Sequence, residues 1–300
     1  MTAASKPLVA SGSVALLYLR LLQLANKARV DKNDFPKLQS FSFSPILQVL
    51  ALDVGIQAAC FVIANALKTE MFYDFSGSVT YLACIAWSLL SRQDGQVPND
   101  RQLFSSAMGS MWASRLGTYL LERILQHGKD ERFDNIKPSV ARFAFAWAMQ
   151  SVWIFLVGSP IYVVNTIPPS EQPLTSTVDM VGRALWVLGF VTEAIADYQK
   201  STFKLINPNE HGPRTGLYAL SRHPNYVGEV LLWTGIAISA APALKSWQYF
   251  TFLSPIFSYF LLRNLSGVPM VEKGWVRRYS KDVEFQKWFQ NTPVFWPRLW

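Results

Sequence analysis

Seven stretches of this chain run for about 20 residues with scarcely a charge, and that length is what an α-helix needs to cross the hydrocarbon core of a bilayer. They are Ile46 to Leu67, Phe72 to Leu90, Leu103 to Leu121, Val140 to Val164, Val178 to Ala196, Val227 to Leu244 and Tyr249 to Leu265. An eighth run, Leu8 to Leu24, is interrupted by Arg20. The expected fold is all-α: a multi-pass transmembrane bundle of about seven spans with short loops and an interfacial C-terminal helix.

Composition agrees with this reading. Half the 300 residues are hydrophobic and only 16% are charged, where a soluble domain carries about a quarter. The net charge of +8 comes from 28 Lys and Arg against 20 Asp and Glu. These basic residues fall mainly in the connections, where a cytoplasmic location and anionic lipid head groups account for them better than nucleic acid does. Connection 165–177 has no Lys or Arg, whereas 199–222 carries Lys200, Lys204, Arg214 and Arg222. "KSWQ" has a single Lys, and the tail from Arg263 is again rich in them. Low and high loops alternate as cytoplasmic retention of positive charge requires, with 122–139 on the positive side. Lys27, Arg29, Lys32 and Lys37 break the alternation.

Residues 1–45 form a separate N-terminal segment, read as a targeting peptide, an interfacial helix or a first span; 46–300 read as one membrane domain. Endoplasmic reticulum or another endomembrane is the expected location, with a mitochondrial or plastid membrane as the alternative. Cys60 and Cys84 each sit within an apolar run. They give neither a disulfide framework nor a metal-ligand spacing, so no metal is expected.

Ionisable groups inside apolar runs mark functional sites by default. Asp53, Asp74 beside Tyr73, Arg115, and the pair Glu193 and Asp197 are such groups. Glu193 and Asp197 are four residues apart and share a helix face, which Lys200 and Lys204 continue. The densest polar stretch is "SRHPNYVGE", residues 221–229. Pro224 biases His223 toward extended backbone and suits the first turn of a following helix. Arg222 and His223 then project from a stiff turn, with Asn225, Tyr226 and Glu229 in the first two helical turns. A positive helix end with an Arg suits a phosphate or carboxylate, while Asn, Tyr and Glu suit a ribose or an amide.

"GFVTEAIADYQKSTFK", "GLYALSRHPNYVGEVLLWTG" and "SGVPMVEKGW…TPVFWP", with the earlier "FYDFSGSVTYL" and "MWASRLGTYLLERILQHGKDERFD", resemble the DUF1295 family. That family is similar to the membrane steroid 5-alpha-reductases and the NADPH-dependent sterol C=C reductases. The resemblance spans roughly residues 46 to 300. It implies an NADPH-dependent oxidoreductase that reduces a C=C bond conjugated to a carbonyl in a steroid or other lipid-like molecule. Its cofactor half would be about 178–300, with Glu193, Asp197, Lys204, Arg222, His223, Asn225, Tyr226, Glu229 and Glu272 lining the NADPH pocket.

Where the steroid reductases have Tyr, aromatic, x, Arg, this chain has Trp112, Ala113, Ser114, Arg115. An indole donates a hydrogen bond but supplies no proton. Tyr73 with Asp74, or Tyr119 with Arg115, are therefore the catalytic candidates. Two alternatives remain. One is a SAM-dependent methyltransferase of the isoprenylcysteine carboxyl type, which carries a similar "RHPxY" run. The other is a non-catalytic lipid-binding membrane protein.

Overall fold

A computed structural model describes residues 44–297, apart from 93, 208 and 209. The Leu8 to Leu24 run, the N-terminal segment and its basic residues lie outside the described residues. The long helices are α1 (Pro45–Leu67), α2 (Tyr73–Leu90), α3 (Asp100–His127), α4 (Val140–Thr166), α5 (Thr177–Ile206) and α6 (Pro224–Ala240). The shorter α7 (Leu253–Phe260), α8 (Val268–Tyr279) and α9 (Val283–Asn291) follow. No strand occurs among the described residues. Three helical segments there are long and apolar enough to cross a membrane: Pro45–Leu67, Val140–Thr166 and Pro224–Ala243.

The sequence-based expectations need three adjustments. The run Tyr249 to Leu265 is not one helix but a 3-10 segment (Ser246–Phe252), α7, and a π segment (Leu261–Leu265). Pro255 lies in the first turn of α7, where its missing N–H costs nothing, so a new helix starts there. The third and fifth runs extend past Leu121 and Ala196 to His127 and Ile206, because both helices continue beyond their apolar stretches. In place of one interfacial C-terminal helix there are two, α8 and α9.

Through-space contacts fix the helix directions. Phe61 meets Phe143, and Val49 packs with Ile154, so α1 and α4 run antiparallel. Arg101 pairs with Asp179 and Arg115 with Glu193, so α3 and α5 run parallel. α5 and α6 cross closely. A Cβ on Gly189 would lie 2.4 Å from the Leu232 nitrogen and 2.6 Å from the Gly228 carbonyl oxygen. Only glycine permits that approach, and it carries the acidic face of α5 onto the first turns of α6.

The core between these helices is aromatic. Tyr81, Trp112, Trp153 and Trp233 pack mostly edge to face, with Tyr81–Trp112 centroids 5.1 Å apart and Trp112–Trp233 centroids 4.9 Å apart. Near the other end of the bundle, buried amides join helices. Asn165 donates to the hydroxyls of Ser88 and Ser106 at 3.0 and 2.9 Å. Arg101 and Asp179, both almost wholly buried, pair at 2.7 Å, and Arg101 also bonds the Pro173 carbonyl. Asp179 in turn accepts from the Ser176 backbone and hydroxyl at the start of α5.

Candidate functional site

Arg115 projects from α3 toward the acidic face of α5. It pairs with Glu193, and at 2.8 Å with Asp197. The Asn225 amide, in the first turn of α6, donates to Asp197 at 3.3 Å. Glu229, one turn further along α6, lies within electrostatic reach of Arg115, Glu193 and Asp197. One guanidinium therefore faces three carboxylates. Trp112 stands beside Glu193, and Tyr119 beside Asp197 and Ser201.

Trp112 stands within hydrogen-bonding reach of Glu193, and among the described residues the buried Arg115 Nε has no hydrogen-bond partner. In apolar surroundings an unpaired polar atom is costly.

A second polar group lies at the start of α6. His223 Nε2 donates to Glu272 Oε1 at 2.9 Å, and Arg222 approaches the same oxygen at 3.2 Å. Arg222 also donates to the Phe289 carbonyl at 2.8 Å and lies over the Phe289 ring. His223 is sandwiched between Tyr226 and Trp275, each 5.2 Å away and nearly parallel. Burial holds the His223 imidazole below its ordinary range, against the opposing pull of Glu272. The neutral ring therefore donates from Nε2.

Lys200 links the two groups, since it is within electrostatic reach of both Asp197 and His223. The stripe on α5 flags its position, but the residue types of the turn draw attention away from it. Trp275, three residues after Glu272, is likewise a wall of the site that sequence reasoning missed.

The expected residues do not all gather. Arg115, Glu193, Asp197, Asn225 and Glu229 converge on one point, with Tyr119 beside it. Arg222, His223, Tyr226 and Glu272 form the adjoining group. Lys204 bonds the Glu210 carbonyl and faces Arg278, away from the carboxylates. Tyr73 and Asp74 are engaged elsewhere. The Tyr73 hydroxyl donates to the Ala146 carbonyl at 2.8 Å among Phe133 and Trp147. Asp74 is held by Arg132 at 2.8 Å and Arg123 at 3.0 Å.

With the geometry in hand, similarity to known proteins can be placed on it. The sequence model of one family, described as a protein of unknown function (DUF1295), matches residues 60–292. The chain belongs to the DUF1295 family. This DUF1295 protein is also 26% identical over 120 residues to the "Probable O-methyltransferase ustE" of Ustilaginoidea virens, a match covering 40% of this chain. It spans 38% of that protein's length. No solved structure matches the chain.

Asp197, Asn225 and Glu193 could bond the hydroxyl or amide groups of a cofactor, and Tyr226 and Trp275 stack on His223 nearby. Lys200 and Arg222 are neighbouring cations, Arg222 being held by Glu272 and the Phe289 carbonyl. Among the described residues, no group of three His, Cys, Asp or Glu could hold a metal ion.

Proposed function

We propose that this protein is a membrane-embedded NADPH-dependent oxidoreductase acting on CH–CH bonds, and that it reduces an enone in a steroid or other lipid-like molecule. The observation that carries the reading is the buried polar group running from Arg115 through Glu193, Asp197 and Asn225 to His223 and Glu272. It lies at the meeting of α3, α5, α6 and α8, beside an aromatic core. Water-excluded charge of this extent favours a ligand-binding role, and the resemblance to sterol C=C reductases supplies the chemistry.

In this reading the bundle has about seven spans, and the Lys- and Arg-rich loops lie on the cytoplasmic side. That is the face where Arg222 and Lys200 stand. NADPH, when bound, supplies the hydride. Asp197, Asn225 and Glu193 hold and orient its polar portions, while Lys200 and Arg222 face its phosphates. Tyr119, beside Arg115, is the group placed to hold a proton near the substrate carbonyl; Trp112 can donate a hydrogen bond there but no proton. The helices exclude water, which strengthens each of these contacts.

A second reading is a SAM-dependent methyl transfer. It is favoured by the excess of carboxylates over Arg115, which suits a cationic sulfonium better than a polyphosphate, and by the name of the Ustilaginoidea virens relative. Thermal-shift titration of the purified protein with NADPH and with SAM separates the two. Stabilisation by NADPH, with oxidation of NADPH on an enone panel, is the expected result. Stabilisation by SAM alone rejects the reductase. Asn225→Ala should weaken NADPH binding by about 1 kcal/mol, the usual net worth of a neutral hydrogen bond.

A further inference from the structure

We infer that the groove between α1 and α4 is a separate binding site for a slender, largely hydrocarbon lipid bearing a hydroxyl group. The groove has a volume of about 530 Å³, and none of its lining residues belongs to the charged group. It extends along α1 from Leu50 to Phe61. The eleven steps between them, at the helical rise of 1.5 Å, give a length of about 16 Å. That is the shape of one extended lipid, and the volume falls within the usual range for small-molecule sites.

Its lining is almost wholly apolar, yet two lining side chains carry buried polar atoms with no hydrogen-bond partner among the described residues. The Gln57 amide, 2% exposed, donates from Nε2 to the Thr80 hydroxyl at 2.8 Å, and its Oε1 has no partner. Trp147, 2% exposed, has an unpartnered Nε1. Gln57 thus offers an acceptor and Trp147 a donor, from opposite walls. Ser151 lines the same wall as Trp147. Asp53, one turn before Gln57, is fully buried within hydrogen-bonding reach of Ser151.

A bilayer acyl chain would fill the space but could satisfy none of these groups, since hydrocarbon neither donates nor accepts. A hydroxyl does both. The apolar positions beyond Asp53, at Leu50, Phe155 and Leu156, take the hydrocarbon tail. This inference does not rest on the proposed chemistry, because the charged group and the groove have different residues.

The test uses the full-length protein in detergent. Two photoreactive probes are compared: a long-chain alcohol with a diazirine in its tail, and the same hydrocarbon without the hydroxyl. The alcohol should label peptides containing residues 50–61 and 144–156, and the hydrocarbon should not compete with it. Gln57→Leu should reduce labelling roughly two- to tenfold, the loss of one hydrogen bond. Ala148→Phe, which fills the groove, should abolish it. Equal labelling by both probes would mean an annular bilayer chain only, and would overturn the inference. So would unchanged labelling in Gln57→Leu, a variant that leaves the groove's shape nearly intact if Ala148→Phe fails to fold. Thermal shifts with NADPH and SAM on the same variants report the charged group separately.

Discussion

Arg115→Met removes the guanidinium that pairs with Glu193 and Asp197 while keeping most of the side chain's apolar bulk. The side chains of Glu193 and Asp197 are 3% and 8% exposed, and that of Arg115 is 19% exposed. Breaking a buried pair by removing one partner costs about 3–5 kcal/mol, because the remaining charge is stranded. The partial exposure of Arg115 places the expected loss near the lower figure, about 3 kcal/mol. At about 2–4 °C per kcal/mol for chains of this order of size, the unfolding midpoint should fall by about 6–12 °C.

The triple variant Arg115→Met, Glu193→Gln, Asp197→Asn leaves Glu229 as the one carboxylate of the group without its cation and should recover part of that loss. Thermal unfolding in one detergent, followed by helical circular dichroism, measures all three proteins. The reasoning is refuted if Arg115→Met unfolds at the wild-type temperature, or if the triple variant is no more stable than the single. Either result would mean that the carboxylates are not held by Arg115.

Gly189→Ala should destabilise by at least about 1–3 kcal/mol, since its Cβ would press on backbone of α6. Gly55→Ala, where a Cβ meets nothing within 4 Å, should be neutral or should gain about 0.5–1 kcal/mol; both are read as unfolding midpoints. His211 is held among Trp275, Tyr279, Phe285 and Trp288 with neither ring nitrogen partnered. Burial pushes its pKa down to about 4, aided by Arg214 and opposed by Asp282. Its neutral ring therefore contributes full stability above about pH 6.5, and that stability is lost as pH falls from there towards 4. His211→Phe should flatten the unfolding midpoint across that window, and an unchanged slope would assign the acid sensitivity elsewhere. Asp179→Ala strands Arg101 and should cost about 3–5 kcal/mol in the same unfolding assay.

The sequence by itself determined that the chain is helical, where the long helices begin, and which helix faces carry charge. Those properties are local. Apolar run length sets a helix, the i to i+4 spacing puts Glu193 and Asp197 on one face, and Pro224 starts α6 where the ring's fixed φ is already helical. The polar density of "SRHPNYVGE" was visible in the same way. Tertiary structure decided who meets whom. Arg115 lies 78 positions from Glu193 and Arg101 lies 78 from Asp179, and no periodicity within either helix encodes such a pair. Tyr73 and Asp74 read as an ionisable pair near an apolar run, and only the tertiary structure places them on the Ala146 carbonyl and two arginines, apart from Arg115. The groove with its unmatched Gln57 and Trp147 was equally hidden. A hollow is a property of two facing surfaces, and one chain segment read alone has only one.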